Sequence, residues 1–529
     1  MGARINLSLW TRMVVIAAVV ACGLALLWPA PAGVMPLSAD HTVHLTRAWL
    51  LGQKIAGGQL SGWSSAWFFG TPLGELYPPL GDLVVCLVRG LSLGALSWAQ
   101  SYALALCAVF VTQGLCLVRA ARALGLGRWG AAVAGLCAAL LALVDVGAYR
   151  EGGWTYTITY GVWPQTLATS LTVLAFAELA LAWRAASMTE ETSARRRRAK
   201  GLTRAALATA AAALAHQMSL PMLAGGALLF VTIYGCTDDG ARLRARLPRA
   251  ALHAALGLGL GLSLAAFWVF PMLAHRGWMA SYGWLHAPLD AMTAMAKGGH
   301  WTANMPSAVG YAVWIGLGIV ALRGPALARL LAAWGLFQWL LASRDAFWEL
   351  RLDHLSAGFS HVQFQRFLIA AKPGLLLLAA IAIVGLATGG LSVWRSRLRA
   401  HVRMPIVLVI AGALVTLSVG VLQGSRDAAR RFHVGDVPTA RFFHLAQVLR
   451  KGQEPPSPAA IADREAAYAE LLAWLAEREA ERAQGGDERY RIAFQAGRNE
   501  HWFMDSPLVT RTPTYKIGFT PGDNFVHKP

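Results

Sequence analysis

Eleven apolar runs alternate with polar segments along this chain, and they constrain its fold more than any other feature. A helix rises 1.5 Å per residue, so about 20 apolar residues cross the ~30 Å of hydrocarbon in a membrane. Hydrophobic residues make up 56% of the 529 residues and charged residues only 14%, against about 25% charge in soluble proteins. The predicted spans are Met13–Trp28, Ala99–Val118, Trp129–Ala148, Val162–Trp183, Thr203–Gln217, Ser219–Gly235, Ala251–Leu273, Pro306–Leu322, Pro325–Ala342, Pro373–Trp394 and Met404–Gln423.

The basic residues predict which ends of these spans face the cytoplasm, because loops on that side carry most of the Lys and Arg. With the N-terminus inside, every second loop should be basic. All five such loops are: 119–128, 184–204, 242–249, 323–329 and 395–403. This distribution accounts for the net charge of +19 without nucleic-acid binding. It also requires that residues 76–98 stay at the outer surface.

Two parts of the chain differ in polarity. Residues 1–423 are predicted to form an all-α polytopic membrane bundle of about 11 transmembrane helices, with a first outer loop at 29–98. Residues 424–529 are polar and are predicted to form a small extracytoplasmic α+β segment. It would contain helices at Pro438–Arg450 and Ala459–Gln484 and a strand at Arg489–Gln495. The first 32 residues fit a signal peptide or a retained first helix, and a proline at Pro31 favours the helix.

Cysteines and short motifs exclude several classes of function. The six cysteines form no CxxC pair and lie mostly in apolar runs, which is typical of small buried side chains. The chain has no nucleotide-binding P-loop, no HExxH zinc motif and no EF-hand pattern. ATP-driven transport would therefore need a partner protein.

The segment after the first span carries the most specific polar motif, Ser38-Ala-Asp-His-Thr-Val-His-Leu-Thr-Arg47. Ser38 would begin a new helix as its cap, and Asp40 and His44 would then share one helix face. A carboxylate at the outer membrane surface can act as a base or bind a hard divalent ion, and His44 can orient it or share the ion. Alternatively, Asp40 only stabilises the helix N-terminus.

Several motifs together resemble those of the GT-C superfamily of membrane glycosyltransferases. They are the first helix, the acidic residue after it, the long outer loop and the turn Tyr77-Pro78-Pro79-Leu80 before the second span. Within the superfamily the chain resembles bacterial 6-pyruvoyl-tetrahydropterin-synthase-related membrane proteins and their YfhO-like relatives. The resemblance extends to 160–164, to His216 at an outer helix end and to 363–367.

This resemblance implies transfer of a sugar from a polyprenyl-phosphate donor to an extracytoplasmic glycan, lipid or protein, in a bacterial inner membrane. Asp40 would be the base, and the implied mechanism is inverting. Positive charge or a divalent metal, Mg²⁺ or Mn²⁺, would stabilise the lipid phosphate. The candidate phosphate-binding residues are Arg366, Lys372, His216 and Arg150, and the candidate metal ligands are Asp40, His44 and Glu151.

Plainer roles stay open for the same residues. Arg366 can be an interfacial arginine that reaches lipid headgroups, and Glu151 can simply pair with Arg150. Two other functions also stay open: a flippase or transporter for a lipid-linked glycan, and a non-catalytic scaffold for envelope polysaccharide. A transporter predicts inverted repeats and charges near the membrane midplane, whereas no repeat is visible here. A scaffold predicts that replacing Asp40 leaves function intact.

Overall fold

The computed structural model describes the bundle nearly completely and the C-terminal part only in fragments. The described residues are 7–27, 30–32, 40–64, 71–125, 128–145, 147, 151–153, 155–186, 191–236, 243–275, 286–303, 305–355, 359, 362–395, 400–402, 404–412, 415, 466, 470, 473–474, 477, 480–481, 492–495 and 514–517. Ser38, Arg150 and the predicted helix at 438–450 lie outside this part of the chain.

Helices make up the bundle. In chain order they are α1 (Leu7–Leu26), α2 (His41–Ala56), α3 (Leu80–Leu91), α4 (Trp98–Ala123), α5 (Arg128–Val144), α6 (Trp163–Ala186), α7 (Glu191–Ala215), α8 (Ser219–Cys236), α9 (Leu243–Ala254), α10 (Leu260–Leu264), α11 (Ala266–Ala274), α12 (Leu289–Lys297), α13 (Ser307–Arg323), α14 (Ala326–Ala342), α15 (Arg344–Glu349), α16 (Leu352–Leu355) and α17 (Phe367–Trp394). A further helix covers Ala400–Gly412.

Each of the eleven predicted spans overlaps a described helix. Five helical segments are long and apolar enough to cross a membrane: Trp98–Ala123, Trp163–Ala186, Ser219–Cys236, Leu243–Leu264 and Phe364–Trp394. Five more are apolar but shorter: Trp10–Leu26, Trp129–Val144, Ser307–Arg323, Ala326–Ala342 and Ala400–Gly412. The chain is therefore a multi-pass membrane protein, and the number eleven stays a prediction.

Two spans differ from the sequence prediction. Helix α7 begins at Glu191 and includes the basic run, because arginine is a good helix former. The span predicted at Ala251–Leu273 is divided into α9, a π-helical turn at Ala255–Gly259, α10 and α11. A π turn inserts an extra residue into the hydrogen-bond ladder and bends the helix.

The centre of the bundle is α17, which packs against α5, α6, α13 and α14. Its neighbours approach it at glycines. A Cβ atom added at Gly316 on α13 would lie 2.1 Å from the Leu378 carbonyl oxygen, and one added at Gly335 on α14 would lie 3.3 Å from the Gly374 Cα. Small residues allow such close backbone contact in membrane helices. These contacts fix the position of the N-terminal end of α17.

The segment predicted to be the first outer loop, 29–98, folds against the bundle. Its hairpin pairs β1 (Gly62–Ser64) with β2 (Thr71–Leu73), with Gly62 opposite Leu73. Helix α3 has 12 residues, about 18 Å of rise, which is too short to cross the hydrocarbon. The α4 helix then begins at a capping box, in which Ser97 and Gln100 each accept a backbone N–H from the other. This agrees with the requirement that residues 76–98 do not span the membrane.

Only short pieces of the C-terminal part are described. Strands β3 (Ile492–Gln495) and β4 (Thr514–Ile517) pair in parallel, and β3 falls within the predicted strand. Residues 466, 470, 473–474, 477 and 480–481, within the predicted helix 459–484, are helical. The small α+β segment as a whole stays a prediction.

Candidate functional site

Asp40 lies directly before α2, against the start of α6. Its backbone N–H donates to the Tyr160 carbonyl at 3.2 Å, and its own carbonyl accepts the His44 N–H at 3.0 Å. Gly161 has φ +79°, and a Cβ atom added there would lie 2.9 Å from the His41 nitrogen, so only glycine allows this approach. The Asp40 side chain makes no helix-capping hydrogen bond. The predicted base is thus half-buried at the junction of the outer loop with α6.

His41 is fixed by a buried hydrogen-bond chain. Its Nε2 bonds to the Ile158 carbonyl, so the proton lies on Nε2 and Nδ1 accepts from the Tyr102 hydroxyl at 2.7 Å. The same hydroxyl oxygen accepts the Trp163 indole N–H at 2.7 Å. Burial lowers the pKa of His41 to about 4. A neutral His41 therefore ties the start of α2 to α4 and α6, beside Asp40.

His44 is buried between two aromatic rings. The Tyr77 ring centroid lies 5.9 Å from the His44 ring and the Trp163 centroid 5.5 Å from it. Burial, with a contribution from Arg47, lowers the pKa of His44 well below its ordinary value. Its Nδ1 is buried without a hydrogen-bond partner among the described residues. His44 is therefore neutral and packed next to Tyr77.

Arg47, paired with Asp82, packs against the Tyr77 ring. The guanidinium donates to both Asp82 oxygens, at 2.9 and 3.0 Å, and its carbon lies 3.7 Å from the Tyr77 ring centroid. The Arg47 and Asp82 side chains are both buried, and such a bidentate pair holds a planar guanidinium in one orientation. Tyr77 also meets the His216 ring edge-on at 6.1 Å. Tyr77 thereby links the outer loop to the turn between α7 and α8.

His216 and Arg366 are brought together although they are 150 residues apart in sequence. Arg366 Nη1 lies 3.3 Å from His216 Nε2. On the other side of the ring, His216 Nδ1 accepts the Met218 backbone N–H at 3.2 Å. Burial, with the charge of Arg366, lowers the pKa of His216 well below its ordinary value, so the ring is neutral. Its single proton is then on Nε2, facing the guanidinium.

The rest of Arg366 is held by neutral groups. Gln165, at the start of α6, donates to the Arg366 carbonyl at 3.0 Å and accepts from Nη1 at 3.5 Å. The Tyr156 ring centroid lies 5.7 Å from the guanidinium carbon. Arg366 Nε is buried and has no hydrogen-bond partner in the described part of the chain. Arg366 therefore keeps an N–H group that a ligand could bind.

Asp40 and Arg366 lie on the same side of the molecule. Burial raises the pKa of the Tyr77 hydroxyl, the charges of Arg47 and Arg366 oppose that rise, and the charge of Asp40 adds to it. Asp40 donates its backbone N–H to Tyr160, just before α6, and Gln165 in the first turn of α6 donates to the Arg366 carbonyl. Both residues therefore lie at the same end of α6. Tyr77 contacts His44 and His216, Arg366 contacts His216, and Asp40 lies one helical turn before His44. We call these five residues the Tyr77 cluster.

Lys372 lies outside this cluster, and its predicted role in phosphate binding stays a prediction. Its Nζ donates to Asp145 Oδ2 at 2.7 Å, and both side chains are buried. Helix α17 begins at Phe367 and not at the predicted Pro373, so Lys372 is inside the helix and not at its entrance. Its charge is neutralised within the bundle.

Glu151 was predicted to be a metal ligand or the partner of Arg150. It accepts the Ala303 backbone N–H at 2.7 Å, and its predicted partner Arg150 lies outside the described residues. Burial raises the pKa of Glu151, and the charge of Lys372 opposes this rise. Among the described residues, no group of three or more His, Cys, Asp or Glu side chains is arranged to hold a metal ion. The predicted set Asp40, His44 and Glu151 is therefore not gathered into a metal site.

Sequence reasoning missed three residues of functional or structural weight. Tyr77 was noted only as part of a turn motif, although it is the centre of the cluster. Gln165 follows the Trp163-Pro164 pair at the start of a span, where a polar side chain is unusual. Asp145 lies in an otherwise apolar run, and an ionisable residue at that depth is a signal that sequence alone provides.

Comparison with solved structures finds the same fold in membrane glycosyltransferases. ArnT from Cupriavidus metallidurans, bound to undecaprenyl phosphate, is 15% identical over 96% of this chain and 86% of ArnT, with a TM-score of 0.50. The oligosaccharyltransferase AglB from Archaeoglobus fulgidus, in complex with an inhibitory peptide and a dolichol-phosphate, is 11% identical, with a TM-score of 0.55. The arabinofuranosyltransferase AftD from Mycobacteria is 16% identical, with a TM-score of 0.51.

The lengths of these proteins differ from that of the chain. The match covers 96% of this chain in both cases but only 64% of AglB and 31% of AftD. No family model matches the sequence, and no curated protein matches it. The narrower resemblance to pterin-synthase-related and YfhO-like proteins therefore stays a prediction. Over nearly all of its length, the chain has the fold of the GT-C glycosyltransferases.

Proposed function

We propose that this chain transfers a sugar from a polyprenyl-phosphate donor to a hydroxyl-bearing acceptor at the outer face of a bacterial inner membrane. One observation carries the proposal: Arg366 Nη1 lies 3.3 Å from His216 Nε2, while His216 Nδ1 already accepts the Met218 N–H. Two structural neighbours, ArnT and AglB, contain a polyprenyl phosphate, which supports the choice of donor.

The donor pair favours an anion for a simple reason. Because His216 Nδ1 already accepts from Met218, the proton of the neutral ring faces the guanidinium. Two N–H groups that face each other form no hydrogen bond, whereas an oxygen atom in contact with both can accept a hydrogen bond from each. Arg366 Nε is a further buried donor without a partner in the described part of the chain. A phosphate would accept from all three, and arginine suits this planar recognition.

Asp40 supplies the base in this scheme. The acceptor oxygen attacks the anomeric carbon while the bond from that carbon to the phosphate oxygen breaks. The bonding electrons leave with the phosphate oxygen, and the hydroxyl proton passes to Asp40. Arg366 and His216 stabilise the negative charge that develops on the phosphate. A single displacement inverts the configuration at the anomeric carbon.

The packing of the cluster explains why these groups act together. His41, tied to α4 and α6, holds Asp40 from the neighbouring position. The Tyr77 ring lies against His44 and His216 and above Arg47. The Tyr77 ring therefore connects the Asp40–His44 side of the proposed site with the His216–Arg366 side. The Arg47–Asp82 pair in turn holds the Tyr77 ring.

No step of this scheme passes through a metal ion. The described His, Cys, Asp and Glu side chains form no group of three that would bind Mg²⁺ or Mn²⁺. The predicted metal dependence is therefore left to the assay, where a chelator either inhibits transfer or does not.

The test uses the full chain in nanodiscs and two measurements. The first is binding of sugar-free undecaprenyl phosphate, which does not require the sugar to be known. The second is transfer from a panel of radiolabelled polyprenyl-phosphate sugars. We expect the wild type to bind the phosphate and transfer at least one sugar. Asp40→Asn should retain binding and lose transfer by roughly 10²- to 10⁴-fold.

Matched controls separate chemistry from folding. Asp290→Asn and Arg344→Gln change exposed residues of the same chemical types on outer segments, and both should behave as wild type. Wild-type transfer by Asp40→Asn would remove its assigned role. Binding without transfer of any sugar by the wild type would favour the flippase, and absence of both would favour the scaffold.

A further inference from the structure

A second polar cluster lies at the other end of α6. Trp183 is 20 positions after Trp163, about 30 Å along the helix. Its ring packs edge-on against the His253 ring at 5.0 Å and the Tyr234 ring at 5.8 Å. The Arg249 guanidinium carbon lies 5.9 Å from the Trp183 ring centroid. Arg198 lies one turn before Gly201, where an added Cβ atom would lie 2.9 Å from the Cβ of Ala182, the neighbour of Trp183. Trp183, Tyr234, His253, Arg249 and Arg198 form what we call the Trp183 cluster.

Three buried polar atoms of this cluster have no hydrogen-bond partner among the described residues. They are Tyr234 Oη, His253 Nε2 and Arg198 Nε. Tyr234 and His253 are each only 3% exposed. A buried polar atom without a partner is unfavourable, so these three atoms indicate a partner that the described part of the chain does not supply.

The hydrogen-bond pattern specifies the chemistry of that partner. His253 Nδ1 lies 3.1 Å from the Arg249 carbonyl, which can only accept, so the proton is on Nδ1 and Nε2 is an acceptor. Arg198 Nε is a donor, and the Tyr234 hydroxyl can donate. A suitable ligand must therefore present acceptor oxygens and, close to them, a hydroxyl donor.

The charge around these groups is positive. The cations that act on His253 are Arg198 and Arg249, and Arg184 acts on Tyr234. Glu178, a buried carboxylate on α6, is already paired with Arg119 at 2.5 Å and with Arg204 at 3.9 Å. The ligand is therefore an anion, and the arginine-rich end of a membrane bundle lies where lipid headgroups are found.

We propose that the Trp183 cluster binds an anionic phospholipid whose headgroup carries a hydroxyl, as in phosphatidylglycerol. The phosphate would accept from Arg198, Arg249 and Tyr234, and the headgroup hydroxyl would donate to His253 Nε2. Trp183 would pack against the headgroup at the membrane boundary. This site is separate from the Tyr77 cluster and independent of the proposed transfer reaction.

The experiment measures lipid binding to the purified full chain by native mass spectrometry. The lipids share acyl chains and differ only in headgroup: phosphatidylglycerol, phosphatidic acid and phosphatidylcholine. We expect phosphatidylglycerol to bind roughly tenfold more tightly than phosphatidylcholine, with phosphatidic acid between them. Inorganic phosphate at millimolar concentration should not displace it. Equal binding of the three lipids, or displacement by free phosphate, would overturn the proposal.

Variants locate the site on the chain. Arg198→Gln should reduce the preference for phosphatidylglycerol by roughly tenfold, and Tyr234→Phe by a few-fold. Arg196→Gln changes an exposed arginine of the same basic run and should leave the preference unchanged. In lipid-free detergent, Tyr234→Phe should unfold at the wild-type temperature or above, because it removes a hydroxyl that lacks a partner. Equal effects of Arg196→Gln and Arg198→Gln would mean non-specific attraction and would refute the site.

Discussion

Two cations near the start of α17 differ in what surrounds them. Lys372 is buried and paired with Asp145 at 2.7 Å, so the protein neutralises it. Arg366 lies about two turns earlier, and its partners in the described part of the chain are Gln165, His216 and the Tyr156 ring, none of them an anion. A charge matched inside the bundle contributes to folding, whereas one surrounded by neutral groups and donors is available to a ligand.

The largest expected effect tests whether the Lys372–Asp145 pair contributes to folding. Lys372→Met leaves the Asp145 carboxylate buried without its cation, so the free energy of unfolding should fall by about 3–5 kcal/mol. The double variant Lys372→Met, Asp145→Leu should recover most of that loss. Thermal unfolding in detergent measures both. A single variant as stable as the wild type would show that the pair is not structural.

The pH dependence of stability tests whether the histidines near the site are neutral. Burial lowers the pKa of His41 from 6.5 to about 4, so between these values the unfolded chain binds one proton more. The stabilisation from this group is therefore complete above pH 6.5 and is lost as the pH falls towards about 4. The loss amounts to at most about 3 kcal/mol.

His41→Gln isolates that contribution, because glutamine does not titrate and retains a donor and an acceptor. The slope of the unfolding free energy against pH measures how many more protons the unfolded chain binds than the folded protein. In His41→Gln this difference should be smaller by one proton between pH 4 and 6.5. His44 and His216 also have lowered pKa values, so the remaining slope should stay positive. An unchanged slope would mean that His41 is protonated in the folded protein.

Arg366→Gln tests whether Arg366 is available to a ligand. It removes a charged donor, so the affinity for undecaprenyl phosphate should fall by roughly 10- to 100-fold. The unfolding temperature should change little, because no buried anion loses its partner. Titration of the lipid into nanodiscs gives the affinity. The opposite result, lost stability with unchanged binding, would make Arg366 equivalent to Lys372 and remove the distinction.

Gln165→Leu gives the smallest expected effect. It removes one hydrogen bond to the Arg366 carbonyl and a longer one to Nη1, worth about 1 kcal/mol. The affinity for undecaprenyl phosphate should fall a few-fold, without loss of Asp40-dependent chemistry once the donor is saturating. A change in the maximal transfer rate instead would assign Gln165 to the chemical step.

The sequence singled out several residues of the candidate site but not their partners. Asp40, His216 and Arg366 stood out because they are polar groups at helix ends beside apolar runs, and the structure places all three in the Tyr77 cluster. The span was predicted to begin at Pro373, with Lys372 at its entrance, because proline favours the first turn of a helix. The helix instead begins at Phe367, which places Lys372 opposite Asp145, a residue 227 positions away.

The sequence by itself determined that this protein is a multi-pass membrane bundle, because apolar length and charge asymmetry act through the bilayer and need no tertiary contact. Its local motifs also indicated which polar residues are chemically able to act. Only the tertiary structure decided which charges are neutralised and which stay available. That distinction depends on pairs far apart in sequence, such as Lys372 with Asp145 and Arg366 with His216, and packing of α17 at glycines selects those pairs.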